Sequence, residues 1–384
     1  MSSLFVKTKR QQELYREVSQ LADRFSESSA HIDKHGIFPT DQINALRNSG
    51  YSGLVVPKKY GGEGITVYDM VLLQERLAKG DAAIALCIGW HLGVLADIAE
   101  KKRWNEEVFE FIAGETLKGA LVNRAATEAQ TGSPTRGGRP QTHAVKQNGK
   151  WIINGRKTFT TMAPVLDYFL VTAWIEEKQA VGEFLLHKDL KGIKIEETWD
   201  MIAMRGTGSH DLILTDVEVD RSMLVEVISK PRSAQVNGWL LHIPACYLGI
   251  AGSARDYAVE FANQYSPNSL NGPIKELPHI QSLVGKMELE LLQARHFLFS
   301  VAEAYCISEN RHLLGSELAA VKYTVTNTAI SVVDKAMRIV GAKSLHRTNP
   351  LQRYYRDVRA GLHNPPMDDA TLVKLAHNAF NLTN

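Results

Sequence analysis

The chain has 384 residues, 44% apolar and 22% charged, ordinary figures for a globular protein with two or three domain-sized cores. Lysine plus arginine exceed aspartate plus glutamate by only 44 − 42 = 2, which excludes the basic footprint of a nucleic-acid or membrane-surface binder. Cys87, Cys246 and Cys306 are far apart and lack metal-type spacing, so they are expected to be buried thiols in a reducing, cytoplasmic setting, with no metal site.

The N-terminal residues lack the apolar core of a secretory leader, and no apolar run is expected to reach the roughly 18 residues of a membrane span. Leu14, Val18, Leu21 and Phe25 recur at helical spacing, which predicts an amphipathic helix over about residues 8–29. Pro39, Thr40 and Asp41 signal the start of a second helix that ends near Ser49 and Gly50. Pro57 and the glycines at 61, 62 and 64 then break helix. This loop does not follow a strand with GxGxxG spacing, so it is a poor phosphate cradle. Residues 69–80 and 81–100 read as two more helices, the second apolar almost all round and therefore buried. His91 lies inside it, where a hydrogen-bonded core histidine is the simplest reading.

Beyond Leu117 the pattern changes to short strands separated by turn residues. Residues 118–138 begin as a strand and become rich in Gly, Ser, Thr and Pro. Asn148-Gly149 and Asn154-Gly155 both read as tight turns, because both residue types tolerate positive φ. Trp151–Ile153 and Lys157–Thr161 would form the arms of a hairpin around Asn154-Gly155, followed by a buried strand over residues 168–174. Beyond Arg232 helical spacing returns over residues 248–261, 280–306 and 318–340, which indicates an up-and-down bundle. The expected class is therefore α+β multidomain. An N-terminal helical domain spans 1–115, a middle β-barrel or sandwich domain 116–228, and a C-terminal up-and-down four-helix bundle 229–384.

IINGRKTFTT at residues 152–161, followed by YFLV, resembles the middle domain of the acyl-CoA dehydrogenase superfamily. VPKKYGG (56–62), MRGTGSHDLILTDVEV (204–219) and VGAKSLHRTNPLQRYYRDVRA (340–360) resemble further segments of that family, so the likeness runs through nearly the whole chain. The resemblance implies a homo-oligomeric flavoprotein oxidoreductase, a dimer or tetramer, that binds FAD, or FMN in some branches. ATEAQTGS at 126–133 is similar to the family's strand-loop against the flavin. By that match Ala126, Thr127 and their amides face the pyrimidine end of the flavin and Ser133 lies near the pyrophosphate. Phe159 takes the place of the aromatic residue beside the isoalloxazine, Thr160 follows it, and Thr161 takes the place of a hydroxyl donor to N5. The loop departs from the family pattern in having Ala129 in place of proline and an altered glycine spacing.

The departures bear on chemistry. The family removes the proton α to a thioester carbonyl with a glutamate, set shortly after an Arg-Asp pair or on a helix before a Leu-Gly pair. Counted from Arg356-Asp357 and Leu248-Gly249, those positions hold Pro365 and about Trp239. Asp368 and Asp369 lie three residues beyond the first. The family's second glycine-rich segment is reduced to Gly341-Ala342-Lys343-Ser344, and its phosphate-reaching arginine has no match near residues 264–271.

A sister branch, the flavin-dependent monooxygenases, is similar in fold and carries histidines near the flavin instead of the glutamate. His363 in His-Asn-Pro would be one and His91 the second, each able to trade protons at the reacting centre. His346 reads as a surface residue. Three readings result. The first is a dehydrogenase acting on the CH–CH group of an acyl-CoA with a separate electron acceptor. The second is a two-component monooxygenase fed by a flavin reductase and acting on an aromatic or heteroatom compound. The third is a helical scaffold that has lost its flavin.

Overall fold

The structure, a computed structural model, describes residues 4–132, 138–228 and 236–380. Its three parts follow from the sequence periodicities. Helix α1 (Lys9–His35) opens on a capping box between Thr8 and Gln11 and buries Leu14, Val18, Ala22 and Phe25, one residue per turn. Helix α2 (Thr40–Asn48) leads into the glycine-rich loop. Helix α3 (Val67–Gly80) is capped by Thr66 with Asp69 reaching back, and α4 (Ala82–Lys101) by Asp81, whose carboxylate accepts from the Ile84 amide at 3.0 Å. Helix α4 is long and apolar enough to cross a membrane, contrary to the expectation that no run would be, but 89% of its apolar window is buried in the protein. Helix α5 (Glu106–Leu117), which the sequence pattern did not indicate, closes this part.

The middle part is one eight-stranded sheet: β1 (Val122–Ala125), β2 (His143–Gln147), β3 (Lys150–Thr160), β4 (Tyr168–Ile175), β5 (Ala180–His187), β6 (Ile193–Glu196), β7 (His210–Val219) and β8 (Leu224–Ile228). Neighbours run β6-β7-β3-β2-β4-β5-β8, with β1 parallel on β4. Strand β4 is buried along almost its whole length, as expected of a continuous apolar run flanked on both edges.

One of the two expected turns is corrected. Asn148 and Gly149, at φ 50 and 82°, form the tight β2–β3 turn between Gln147 and Lys150. Asn154-Gly155 does not turn the chain. It is a bulge inside the continuous strand β3, where the register with β7 shifts between Ile153 and Gly155. Asn154 accepts from the Asp216 amide at 2.8 Å, and Gly155 (φ 155°) leaves room for Thr142, which a Cβ would meet at 2.3 Å. The packing of Thr142, which no local pattern reveals, decides between turn and bulge.

The C-terminal part holds α6 (His242–Gln264), α7 (Pro278–Cys306), α8 (Gly315–Val340), α9 (Pro350–Ala360) and α10 (Asp368–Ala379). Helices α6, α7 and α8 pack on one another, and α6 also lies across α3 and α4, so both helical parts share one core. Each large aliphatic or aromatic side chain buried there is worth roughly 1.5–3 kcal/mol. Helix α9 ties all three parts together. Arg356 pairs with Asp33 of α1 and donates to the Ile202 carbonyl, while Asp357 accepts from the Met204 amide at 2.7 Å.

Candidate flavin site

Two bulges shape the site. After Gly155, β3 shifts register against β7 a second time, between Lys157 and Thr160. There Phe159 adopts φ 56° and is 53% exposed, although Lys157 and Thr160 on either side of it in the strand are fully buried. A bulky residue in left-handed backbone is strained, and strain of this kind persists only where the surroundings over-determine it. The aromatic ring is thereby held outward, edge-on to Trp199 with centroids 5.8 Å apart.

The loop after β1 runs beside the end of β3. The Thr158 amide donates to the Thr127 carbonyl at 2.8 Å, and Asn123 Nδ2 donates to the Thr161 carbonyl at 3.1 Å. Ala126, Thr127, Phe159 and Thr161 are thus brought to one half-exposed face. Thr160 is fully buried, so it is not on that half-exposed face. Ser133 lies outside the described residues.

Beneath the face lies a buried ion pair. Lys157 Nζ is 2.6 Å from Glu128 Oε1. Glu128 also accepts from the Gln141 and Thr142 amides and from Thr131 Oγ1. Burial alone would raise the Glu128 pKa, but the Lys157 hydrogen bond and charge outweigh it and hold the carboxyl down to about 2. Burial lowers the Lys157 pKa to about 8 against the opposing pull of Glu128.

Along the other edge three hydroxyls form a row. Thr161 Oγ1 is 3.0 Å from Ser209 Oγ, which is 2.9 Å from Thr207 Oγ1. His210 Nδ1 accepts from the Thr198 and Trp199 amides at 3.0 and 3.1 Å, which fixes the segment carrying Trp199. Sequence reasoning missed Glu128, Lys157, Trp199 and Ser209. Glu128, Lys157 and Ser209 stand in matching segments, at 126–133, 152–161 and 204–219, and Trp199 stands in none.

The two candidate histidines differ. His363 is exposed, one residue before Asn364, whose Oδ1 accepts from Tyr247 Oη at 2.6 Å. Six residues earlier on α9, Asp357 holds the Met204 amide, and the Met204 carbonyl accepts from Trp199 Nε1 at 3.2 Å. His91 is fully buried. Its Nε2 donates to the Ser52 carbonyl at 3.1 Å and its Nδ1 accepts from the Val122 amide at 3.0 Å. Burial pushes its pKa down to about 4. With both nitrogens taken by backbone, it joins α4 to β1 and the loop before α3, and neither ring nitrogen is open to a reacting group.

Of the base positions, Pro365 carries no acid. Trp239 is 8% exposed and donates from Nε1 to Glu100 at 3.2 Å. Asp368 accepts from Lys322 at 3.2 Å and from Asn327 at 2.8 Å.

The sequence matches the acyl-CoA dehydrogenase N-terminal domain over residues 8–102, the middle domain over 123–217 and the C-terminal domain over 241–364. The chain belongs to the acyl-CoA dehydrogenase family. Similar proteins include the Bacillus subtilis protein YdbM, 63% identical over 98% of this chain and 99% of its own length. L-evernosamine nitrososynthase of a Micromonospora species is 27% identical over 88% of this chain and 82% of its own length. Among solved structures, FMN-bound TdsC of a Paenibacillus species superposes with a TM-score of 0.86 at 21% identity, covering 97% of this chain and 98% of that one, a likeness of fold. The outward Phe159, the hydroxyl edge and the pinned loop at 126–128 suit the flavin that proteins of this family carry. The protein is accordingly an acyl-CoA dehydrogenase-type flavoprotein oxidoreductase.

Proposed function

We propose that this protein oxygenates a small heteroatom-bearing or aromatic compound with reduced flavin and dioxygen, rather than desaturating an acyl-CoA. The observation that carries this reading is that neither family position holds a carboxylate. Pro365 and Trp239 stand at the two family positions, and Asp368 is held by Lys322 and Asn327. The residues outside the described segments, 1–3, 133–137, 229–235 and 381–384, contain no Asp or Glu.

A bound flavin, FMN or FAD, supplies the electrons and the oxygen chemistry. The chain's own part is to bind and orient it. Phe159 and Trp199 would hold the ring system, the backbone at Ala126 and Thr127 would hold its pyrimidine end, and Thr161 would offer a hydroxyl to N5. The Lys157–Glu128 pair keeps the loop from moving. His363 holds or passes a proton at the open side of the site. A separate reductase delivers the reduced flavin, and the working unit is a homo-oligomer.

The deciding experiment loads the protein with FMN or FAD and titrates it without oxygen against short, medium and branched acyl-CoA thioesters. The expected result is an unbleached visible flavin band. Reduced flavin and ¹⁸O₂ are then supplied with a panel of amines, thioethers and aromatic heterocycles, and ¹⁸O is expected in a product. Thioester bleaching would establish the dehydrogenase reading instead. Thr161→Ala is expected to weaken flavin retention, and His363→Ala to slow turnover at unchanged flavin content.

A further inference from the structure

The row Thr207, Ser209, Thr161 has a direction. Thr207 is 2% and Ser209 5% exposed, so neither hydroxyl is served by bulk water. Among the described residues, Thr207 Oγ1 has one hydrogen-bond partner, Ser209, and Ser209 Oγ has two, Thr207 and Thr161. Each hydroxyl carries one proton and two lone pairs. If Thr161 donated inward, Ser209 would donate to Thr207, and the Thr207 proton would be left buried with no acceptor. If Thr207 donates to Ser209 and Ser209 donates to Thr161, every buried proton is used and only lone pairs go unfilled. An unsatisfied buried donor costs far more than an unused lone pair on an oxygen already engaged. Hydrogen bonds in a row also polarise one another in the same sense.

We infer that Ser209 is a positioning residue that commits Thr161 to donating its proton outward, towards flavin N5. This rests on the flavin reading above. An oxidised flavin offers an unprotonated N5, which accepts such a bond. A reduced flavin bears hydrogen at N5 and would need Thr161 to turn around, which the row opposes. Ser209 therefore biases the bound flavin towards its oxidised form and favours prompt return of electrons to an acceptor.

The test measures the two-electron midpoint potential of the flavin-loaded protein by dye-coupled anaerobic reduction. Ser209→Ala frees Thr161 to rotate. At fixed potential it is expected to raise the ratio of reduced to oxidised flavin up to about tenfold, a shift of about 30 mV to less negative values. Ser209→Thr, which keeps the hydroxyl, is expected to restore the wild-type value. Thr207→Val is expected to shift it less than Ser209→Ala, because Ser209 still has only Thr161 to donate to. Ser209→Cys, close in size and a weak donor, serves if Ser209→Ala does not fold, with the same direction expected. A midpoint potential of Ser209→Ala or Ser209→Cys equal to that of wild type overturns the inference and leaves the flavin reading intact. Failure of the wild-type protein to take up FMN or FAD overturns both.

Discussion

Lys157 Nζ and Glu128 Oε1 lie 2.6 Å apart with 0% and 3% of their side chains exposed, directly beneath the strand end that carries Phe159. Glu128 is the knot of the loop at 126–132, because it also takes the Gln141 and Thr142 amides. Removing its cation strands a buried carboxylate. Lys157→Met is therefore expected to destabilise the protein by about 3–5 kcal/mol and to lower flavin retention. Lys157→Met combined with Glu128→Gln should recover part of the stability, since no uncompensated charge remains. Denaturant midpoints of the single and double variants check this, and a double variant no more stable than Lys157→Met would refute it.

His91 and His242 are both fully buried, but their surroundings differ. His91 bridges two backbone groups, whereas neither nitrogen of His242 has a partner among the described residues. The His242 ring instead packs on Gly89 and edge-on to Trp90 at 4.9 Å. His91→Leu leaves the Ser52 carbonyl and the Val122 amide unpaired, at about 1–3 kcal/mol each. His242→Leu loses no hydrogen bond and is expected to cost under about 1.5 kcal/mol. Thermal melts that rank the two variants the other way would contradict this assignment of roles.

Burial lowers both imidazoles, to about 4 for His91 and about 3 for His242, against an ordinary 6.5. The unfolded chain therefore binds protons that the folded one does not as pH falls below about 6.5. Stability contributed by neutral burial is present above that pH and lost towards pH 4 and 3, at about 1.4 kcal/mol per pH unit and histidine. His242→Leu should flatten the acid side of the melting-temperature profile between pH 6.5 and 4. An unchanged slope would show that His242 already ionises in the folded protein.

Most of the architecture was legible because it rests on long periodic signals: Leu14 to Phe25 for α1, the apolar run of α4, the strand of β4. The site was legible only through matching segments. Phe159 is exposed because a bulge turns it out of the strand alternation, and period-2 reading alone would have misplaced it. Ser209 and Lys157 meet their partners, Thr161 and Glu128, across 48 and 29 residues. Nothing local to either residue marks such a contact. His91 could be read as core or catalyst from sequence, and its two backbone partners, from segments 31 and 39 residues away, are what distinguish the cases.

Asn154-Gly155 gives a direct test of the bulge. A Cβ at Gly155 would stand 2.7 Å from Thr142 Cα as well as 2.3 Å from its Oγ1, so the clash involves backbone and cannot be relieved by a rotamer. Gly155→Ala is expected to lower the melting temperature by several degrees and to disturb the flavin face downstream. Gly149→Ala, at φ 82° in the β2–β3 turn, meets no close atom and carries only the backbone strain of about 1–2 kcal/mol. Equal losses in the two variants would mean that Thr142 moves freely.

Asp357 is the last hinge of this arrangement, since its Oδ1 holds the Met204 amide at 2.7 Å and Met204 carries Trp199 against Phe159. Burial raises its pKa to about 7, against the opposing pull of the Met204 amide and Arg353. A raised carboxyl pKa contributes stability that is present below the ordinary value of 3.8 and lost as pH rises towards 7. Asparagine retains the acceptor oxygen and never ionises. Asp357→Asn should therefore match wild type near pH 4 and exceed it in melting temperature at pH 8, by on the order of a few kcal/mol in stability. A variant less stable than wild type at pH 8 would mean that the charge itself, paired with Arg353, holds α9 to the β-sheet domain.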